Sequence, residues 1–171
     1  MAIDPDKGHS ALRRGRTSAP EAQYFLTFCT AARRIGLATE PISTAILNEA
    51  QAMERDGTWV IHCLVVMSDH VHVLIELGGR LLLAKAMQRL KAKTAAVLRT
   101  KELEWERGFF DHRIRPNDDV QAVFLYIYLN PHRAGLVTRM KKWPYYFCRV
   151  KDWTWLQSLL ESELPQPEWL R

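Results

Sequence analysis

Two histidines separated by one residue, His70 and His72, stand in the segment HVHVLIEL (70–77). Its alternation of residue types predicts a strand, and on a strand residues two apart share a face. Both imidazoles then project together, with Val71, Val73 and Ile75 on the other side. Two neutral imidazoles about 7 Å apart at Cα can hold one divalent ion and leave positions open for substrate oxygens. A pair of solvent-facing histidines has the same spacing, so the pattern by itself leaves both readings open. His62 falls on a neighbouring apolar run, where a structural core histidine is expected. His112 and His132 suit surface or DNA-facing positions better than ligand positions.

A second constellation lies in residues 117–130, read as a helix capped by Asn117 with Asp118 and Asp119 in its first turn. Val120, Val123, Phe124 and Ile127 form its apolar stripe, and Pro131 is expected to end it at Asn130. Tyr126 lies roughly 110° from the stripe and Asn130 roughly 70°, on the same flank, while Tyr128 falls on the opposite flank. A tyrosine followed one turn later by an amide can set a nucleophile beside a metal ligand. Aromatic residues at a helix boundary also simply pack.

The remaining elements must position these groups. Residues 24–30 (YFLTFCT) are rich in β-prone types and read as a strand. Pro41 opens a helix through about Arg55, with Ile42, Ala45, Ile46 and Glu49 at helical spacing. Residues 59–67 (WVIHCLVVM) form a nearly continuous apolar run of strand length. After Ser68-Asp69 the histidine strand follows as its hairpin partner, ended by Gly78-Gly79. Residues 81–100 read as a helix with Leu83, Met87, Leu90, Thr94 and Val97 in a stripe. Segment 102–116 reads as a loop with a short strand. The order β-α-β-β-α-loop-α predicts a single α+β sandwich, an antiparallel or mixed sheet covered by helices.

At 171 residues the chain suits one domain. The expected divisions are a basic arm over 1–20, a folded domain over 21–150 and a tail over 151–171. No run approaches the ~18 apolar residues of a membrane span, and residues 1–20 hold no hydrophobic signal core. Cys29, Cys63 and Cys148 are scattered, odd in number and without CxxC spacing, which argues against a disulfide scaffold or a cysteine zinc site. A cytoplasmic protein with no membrane partner is expected.

The formal net charge is +5, and its distribution points to a polyanion. Residues 80–115 carry ten Lys/Arg against four acids, and residues 131–151 carry six against none. Basic segments interleaved with Trp, Phe and Tyr favour single-stranded nucleic acid, through phosphate neutralisation and base stacking. A solvated basic surface is the plainer alternative.

The pieces YFLTFCTAAR (24–33), HCLVVMSDHVHVLIEL (62–77), GFFDHRIRPNDD (108–119), YIYLNPHRAGLV (126–137) and WPYY (143–146) resemble the REP-associated tyrosine transposases. These belong to the single-tyrosine HUH transposases of the smallest bacterial insertion sequences. The likeness runs over about residues 10–148; Ser68 stands where a proline is usual and His132 where a small apolar residue is usual. It implies a ferredoxin-like sandwich, with the two histidines in mid-sheet and the tyrosine helix alongside. It further implies His70 and His72 as ligands of Mg²⁺ or Mn²⁺, Asn130 completing the metal site, and Tyr126 as nucleophile.

The implied activity is metal-assisted nicking and joining of single-stranded DNA bearing palindromic hairpins, by a monomer or homodimer. Attack by Tyr126 would give a 5′-phosphotyrosine and a free 3′ hydroxyl, and reversal would rejoin strands without ATP. Arg13, Arg14, Arg16, Lys91, Lys93 and Arg115 are candidate DNA contacts. A relaxase-like or replication-initiator nickase, and a domesticated hairpin-binding module, are the competing readings.

Overall fold

The computed structural model describes residues 18–138 and 141–149, so Arg13, Arg14, Arg16 and the expected tail lie outside the described residues. Among the described residues, five strands and three α-helices follow one another as β1 (Gln23–Cys29), α1 (Ile42–Arg55), β2 (Trp59–Val66), β3 (His70–Leu77), α2 (Leu83–Arg99), β4 (Phe110–Arg113), α3 (Val120–Arg133) and β5 (Tyr146–Cys148). A 3₁₀ turn, Ala31–Arg33, follows β1. The sheet order is β4-β1-β3-β2-β5, with every neighbouring pair antiparallel. The first six elements in that order form the ferredoxin-like split βαβ arrangement, as the sequence led us to expect.

Each sheet face has its own core. On one face Leu26, Phe28, Ile61, Val71, Val73 and Ile75 pack against Ile42, Ile46 and Met53 of α1 and Leu83, Met87 and Leu90 of α2. On the other, Phe25, Cys63, Val65 and Leu74 meet Val123, Phe124, Ile127 and Tyr128 of α3. Helices on both faces explain why 59–67 shows no alternation: a strand buried on both sides is apolar throughout. A register shift between Ile61 and Cys63 places these residues on opposite faces although they are two apart. His62 occupies that bulge and is half-buried.

The β2–β3 hairpin that presents the histidines is braced at both ends. Its turn residues Ser68 and Asp69 are bonded to the stretch after β1: Gly36 and Leu37 donate to the Ser68 carbonyl (2.7 and 2.9 Å), and Thr30 donates to that of Asp69 (2.9 Å). At the far end a Cβ on Gly78 would lie 2.1 Å from the Gly57 carbonyl oxygen, so only glycine lets the two chain segments cross there.

The tyrosine helix departs from expectation in three ways. Its N-cap is Asp119, whose side chain accepts from the Ala122 amide at 3.0 Å, whereas Asn117 lies in the preceding turn. Val120 is 37% exposed; the buried face is Val123, Phe124, Ile127 and Tyr128 with Leu125 and Leu129. The helix also runs through Pro131 to Arg133. Proline in the last turn forfeits one amide, and the carbonyls of Asn130 and Pro131 still receive Ala134 and Leu136, both at 2.9 Å. With Pro131 buried, packing overrides the local bias against helix at Asn130.

The sequence reading assigned no strand to 143–148. There β5 adds to β2, pairing Cys63 with Cys148, Leu64 with Phe147 and Val65 with Tyr146. The three cysteines are free thiols. Among the described residues no helix is long and apolar enough to cross a membrane.

Candidate functional site

Strand alternation places His70 and His72 on the α3 face of the central strand, as their spacing requires. Their Nε2 atoms approach to 3.1 Å. Each Nδ1 is engaged elsewhere: His70 donates to Asp69 Oδ1 at 2.6 Å, and His72 meets the Thr27 hydroxyl at 2.7 Å. With Nδ1–H held by the carboxylate, His70 Nε2 is a bare lone pair, and it faces the Nε2 of its neighbour.

The carboxylate is itself held. Arg33 Nε lies 2.8 Å from Asp69 Oδ2, and Arg33 Nη1 donates to Cys29 Sγ at 2.6 Å. Ala32 and Arg33 both take positive φ values, 52° and 54°, a sparsely used conformation for such residues. That turn carries the Arg33 side chain back onto Asp69. A line of contacts thus runs Arg33–Asp69–His70–His72–Thr27.

Burial pulls the His70 pKa below its ordinary 6.5, against the bond and charge of Asp69. It pulls His72 well below, helped by repulsion from His70 and Arg33. Both rings are therefore neutral at pH 7, the form a cation needs.

Tyr126 closes the site from α3. Its ring lies edge-on to His72 with centroids 5.4 Å apart, and to Phe25 at 6.0 Å. Phe25 stacks on His72 at 5.4 Å. The Arg133 guanidinium sits 5.1 Å from the Tyr126 ring centroid. Seven residues along a helix is two turns, so Tyr126 and Arg133 share a flank; Asn130, half-buried, lies between them on it.

Tyr128 occupies different surroundings. It is buried against Tyr146 (4.8 Å) and His132 (6.0 Å). Burial, with the nearby Cys148 and Cys63 thiols, pushes its hydroxyl up to about 12.

The structure thus brings His70, His72 and Tyr126 together and sets Asn130 one turn beyond. The basic candidates are dispersed. Lys91 and Lys93 belong to α2, which packs on the sheet face opposite the histidines. The Lys91 ammonium is turned onto its own chain, donating to the carbonyls of Glu106 and Gly108. Lys93 is exposed, as is Arg115 in the connection from β4 to α3. His112, read as surface or DNA-facing, is half-buried and bonded to Asp118 at 2.9 Å.

Asp69, Arg33, Thr27 and Arg133 escaped the sequence reading. Two of them left a signal: Asp69 directly precedes the His-Val-His run, and Arg133 stands two helical turns after Tyr126.

Two ring nitrogens at this separation match a cation site. Metal bonds of about 2.1 Å in octahedral geometry set adjacent donors about 3 Å apart. Among the described residues no third His, Cys, Asp or Glu joins the pair. Two imidazoles can therefore hold an ion only with help from other oxygens, which keeps positions open for a substrate.

The profile of the family described as transposase, IS200-like, matches residues 18–128. Over 94 residues the chain is 28% identical to the REP-associated tyrosine transposase of Escherichia coli K12, across 54% of this chain and 56% of that protein. The match thus spans little more than half the length of this curated relative. Among solved structures, a REP-associated tyrosine transposase bound to a REP hairpin is similar, with a TM-score of 0.64 and 26% identity. That likeness covers 77% of this chain and 79% of the other.

Proposed function

The chain belongs to the IS200-like transposase family, and on that premise we propose that it nicks and rejoins hairpin-bearing single-stranded DNA through a 5′-phosphotyrosine at Tyr126. The observation that carries this reading is the Tyr126 ring against His72, 5.4 Å away, beside paired Nε2 atoms 3.1 Å apart. The substrate class rests on the solved relative, described as bound to a REP hairpin.

His70 and His72 would hold Mg²⁺ or Mn²⁺, with Asn130 as the further protein ligand. The ion, when bound, would neutralise a non-bridging phosphate oxygen and favour attack at phosphorus. Asp69 and Thr27 fix the two rings so that both Nε2 atoms face one point. Phe25 and Arg133 hold the Tyr126 ring from two sides, and the guanidinium adds positive charge where a phosphate would lie.

As the Tyr126 Oη–P bond forms, the P–O3′ bond breaks. The phenol gives up one proton and the released 3′ oxygen takes one up, so the step is balanced. The phosphotyrosine keeps the ester for reversal by a 3′ hydroxyl.

The test is incubation of labelled REP-hairpin single strand with the protein and Mn²⁺, followed by denaturing electrophoresis. A band of protein covalently bound to DNA is expected with the wild type. Its absence under all metal conditions would refute strand transfer.

A further inference from the structure

Phe110 is the only aromatic side chain among the described residues that is exposed, at 46%. It stands on β4 at the sheet edge, in one cross-strand row with the site: Phe110 pairs with Thr27, and Thr27 pairs with His72. Residues paired across antiparallel strands point to the same face, so the Phe110 ring rises from the face that carries both histidines.

The ring meets Phe25 in a T-shaped contact at 6.2 Å, and Phe25 stacks on His72 at 5.4 Å. An aromatic step therefore leads from the solvent edge to the paired nitrogens. Helix α3 packs over β2 and β3, which leaves the β4 end of this face open at Phe110. Two strand spacings, about 10 Å, separate Phe110 from His72, a span that the base of a nucleotide next to the reacting phosphate can bridge. Arg107 and Arg115 flank the strand and are both exposed, supplying charge for the adjoining phosphates.

We propose that Phe110 is a stacking platform for an unpaired DNA base adjacent to the scissile phosphate. The inference rests on the strand-transfer reading for its substrate class and adds a positioning residue to it. An apolar ring at this spot accepts any base through its π face and holds the strand across the site. A base seated there fixes the register of the phosphate against Tyr126 without hydrogen-bonding to any base edge.

The experiment uses a REP hairpin with a single-stranded extension, each extension nucleotide replaced in turn by an abasic residue. Binding is read by fluorescence anisotropy for the wild type, Phe110→Ala and Phe110→Trp. The wild type should lose about tenfold in affinity at one extension position. Phe110→Ala should bind intact DNA about tenfold more weakly and be indifferent to the abasic site at that position, while Phe110→Trp should bind like the wild type.

Equal abasic losses in wild type and Phe110→Ala would overturn the proposal. So would a Phe110→Ala protein that binds DNA normally but changes its sedimentation mass, because the ring would then serve contact between copies along β4. Binding does not require cleavage, so failure to form the Tyr126 adduct sinks strand transfer while leaving the abasic comparison readable.

Discussion

Tyr126 and Tyr128 differ by two positions on one helix, and their neighbours decide which hydroxyl can meet a phosphate. Tyr126 faces His72, whereas Tyr128 is packed under Tyr146 with its hydroxyl pushed up to about 12. Tyr126→Phe should abolish the covalent DNA adduct and keep DNA affinity, because one oxygen is lost and the ring remains. Tyr128→Phe should keep the adduct and lose at most about 1 kcal/mol of stability; peptide mapping of DNA to Tyr128 would reverse the assignment. Asp69 acts through His70, so Asp69→Ala should weaken Mn²⁺ binding about tenfold or more with the fold unchanged. A titration followed by electron paramagnetic resonance reads that directly, and unaltered affinity would reduce Asp69 to a surface ion pair with Arg33. The same histidines set a pH dependence. Burial lowers both folded pKa values below 6.5, so the unfolded chain binds protons that the fold resists. Stability is then complete above about 6.5 and falls as pH drops through and below that value. Melting in EDTA should drop more between pH 7.5 and 5.5 for the wild type than for His72→Gln; equal drops would mean that burial does not hold the ring neutral.

At the scale of elements, the site depends on where α3 begins. Asp119 receives the Ala122 amide at 3.0 Å, and a side-chain cap of this kind contributes about 1 kcal/mol. Asp119→Ala should lower unfolding free energy by about that amount in a urea titration; no change would place the cap elsewhere, for instance at Asn117. The histidine strand was legible because a period of two needs nothing beyond its own residues, and β3 spans His70–Leu77 as read. The flank of Tyr126 was legible for the same reason, since an angle on a helix is local. What the sequence hid was set by distant partners. The edge strand β5 exists through pairing with β2 some eighty residues earlier, and the bulge at His62 answers to cores on both faces. Pro131 continues its helix because its ring is buried, which outweighs a local preference that the sequence states correctly. Lys91 was a candidate DNA contact, but its ammonium is bonded to the carbonyls of Glu106 and Gly108, and burial lowers its pKa to about 8.

Taken whole, the described residues form a sheet with two unlike sides, and that asymmetry bears on how the proposed DNA substrate would lie on it. One side carries α1 and α2 with much of the basic run 80–100; the other carries α3, the histidines and Tyr126. Several cations of the first side are already paired: Arg89 with Asp56 and Glu49, and Arg80 with Asp56. They neutralise acids of their own chain and contribute little to phosphate binding. Arg115, by contrast, is exposed on the approach to α3. A strand that reaches Tyr126 must pass over the second side, so phosphate contacts should concentrate there. If about six phosphates of a single strand are neutralised, log K should fall against log salt with a slope of roughly −4. Losing one contact removes about 0.7 from that slope. Arg115→Gln should therefore flatten the slope by about 0.7, while Lys93→Gln, across the sheet, should leave it unchanged. Hairpin single strand should also bind more tightly than blunt duplex of equal length, because Tyr126, the proposed nucleophile, lies against His72 on a sheet face beneath α3. If Lys93→Gln flattens the slope as much as Arg115→Gln does, the DNA wraps both sides and the single-face footprint is wrong. A slope near zero would go further and remove the electrostatic role from the basic segments altogether.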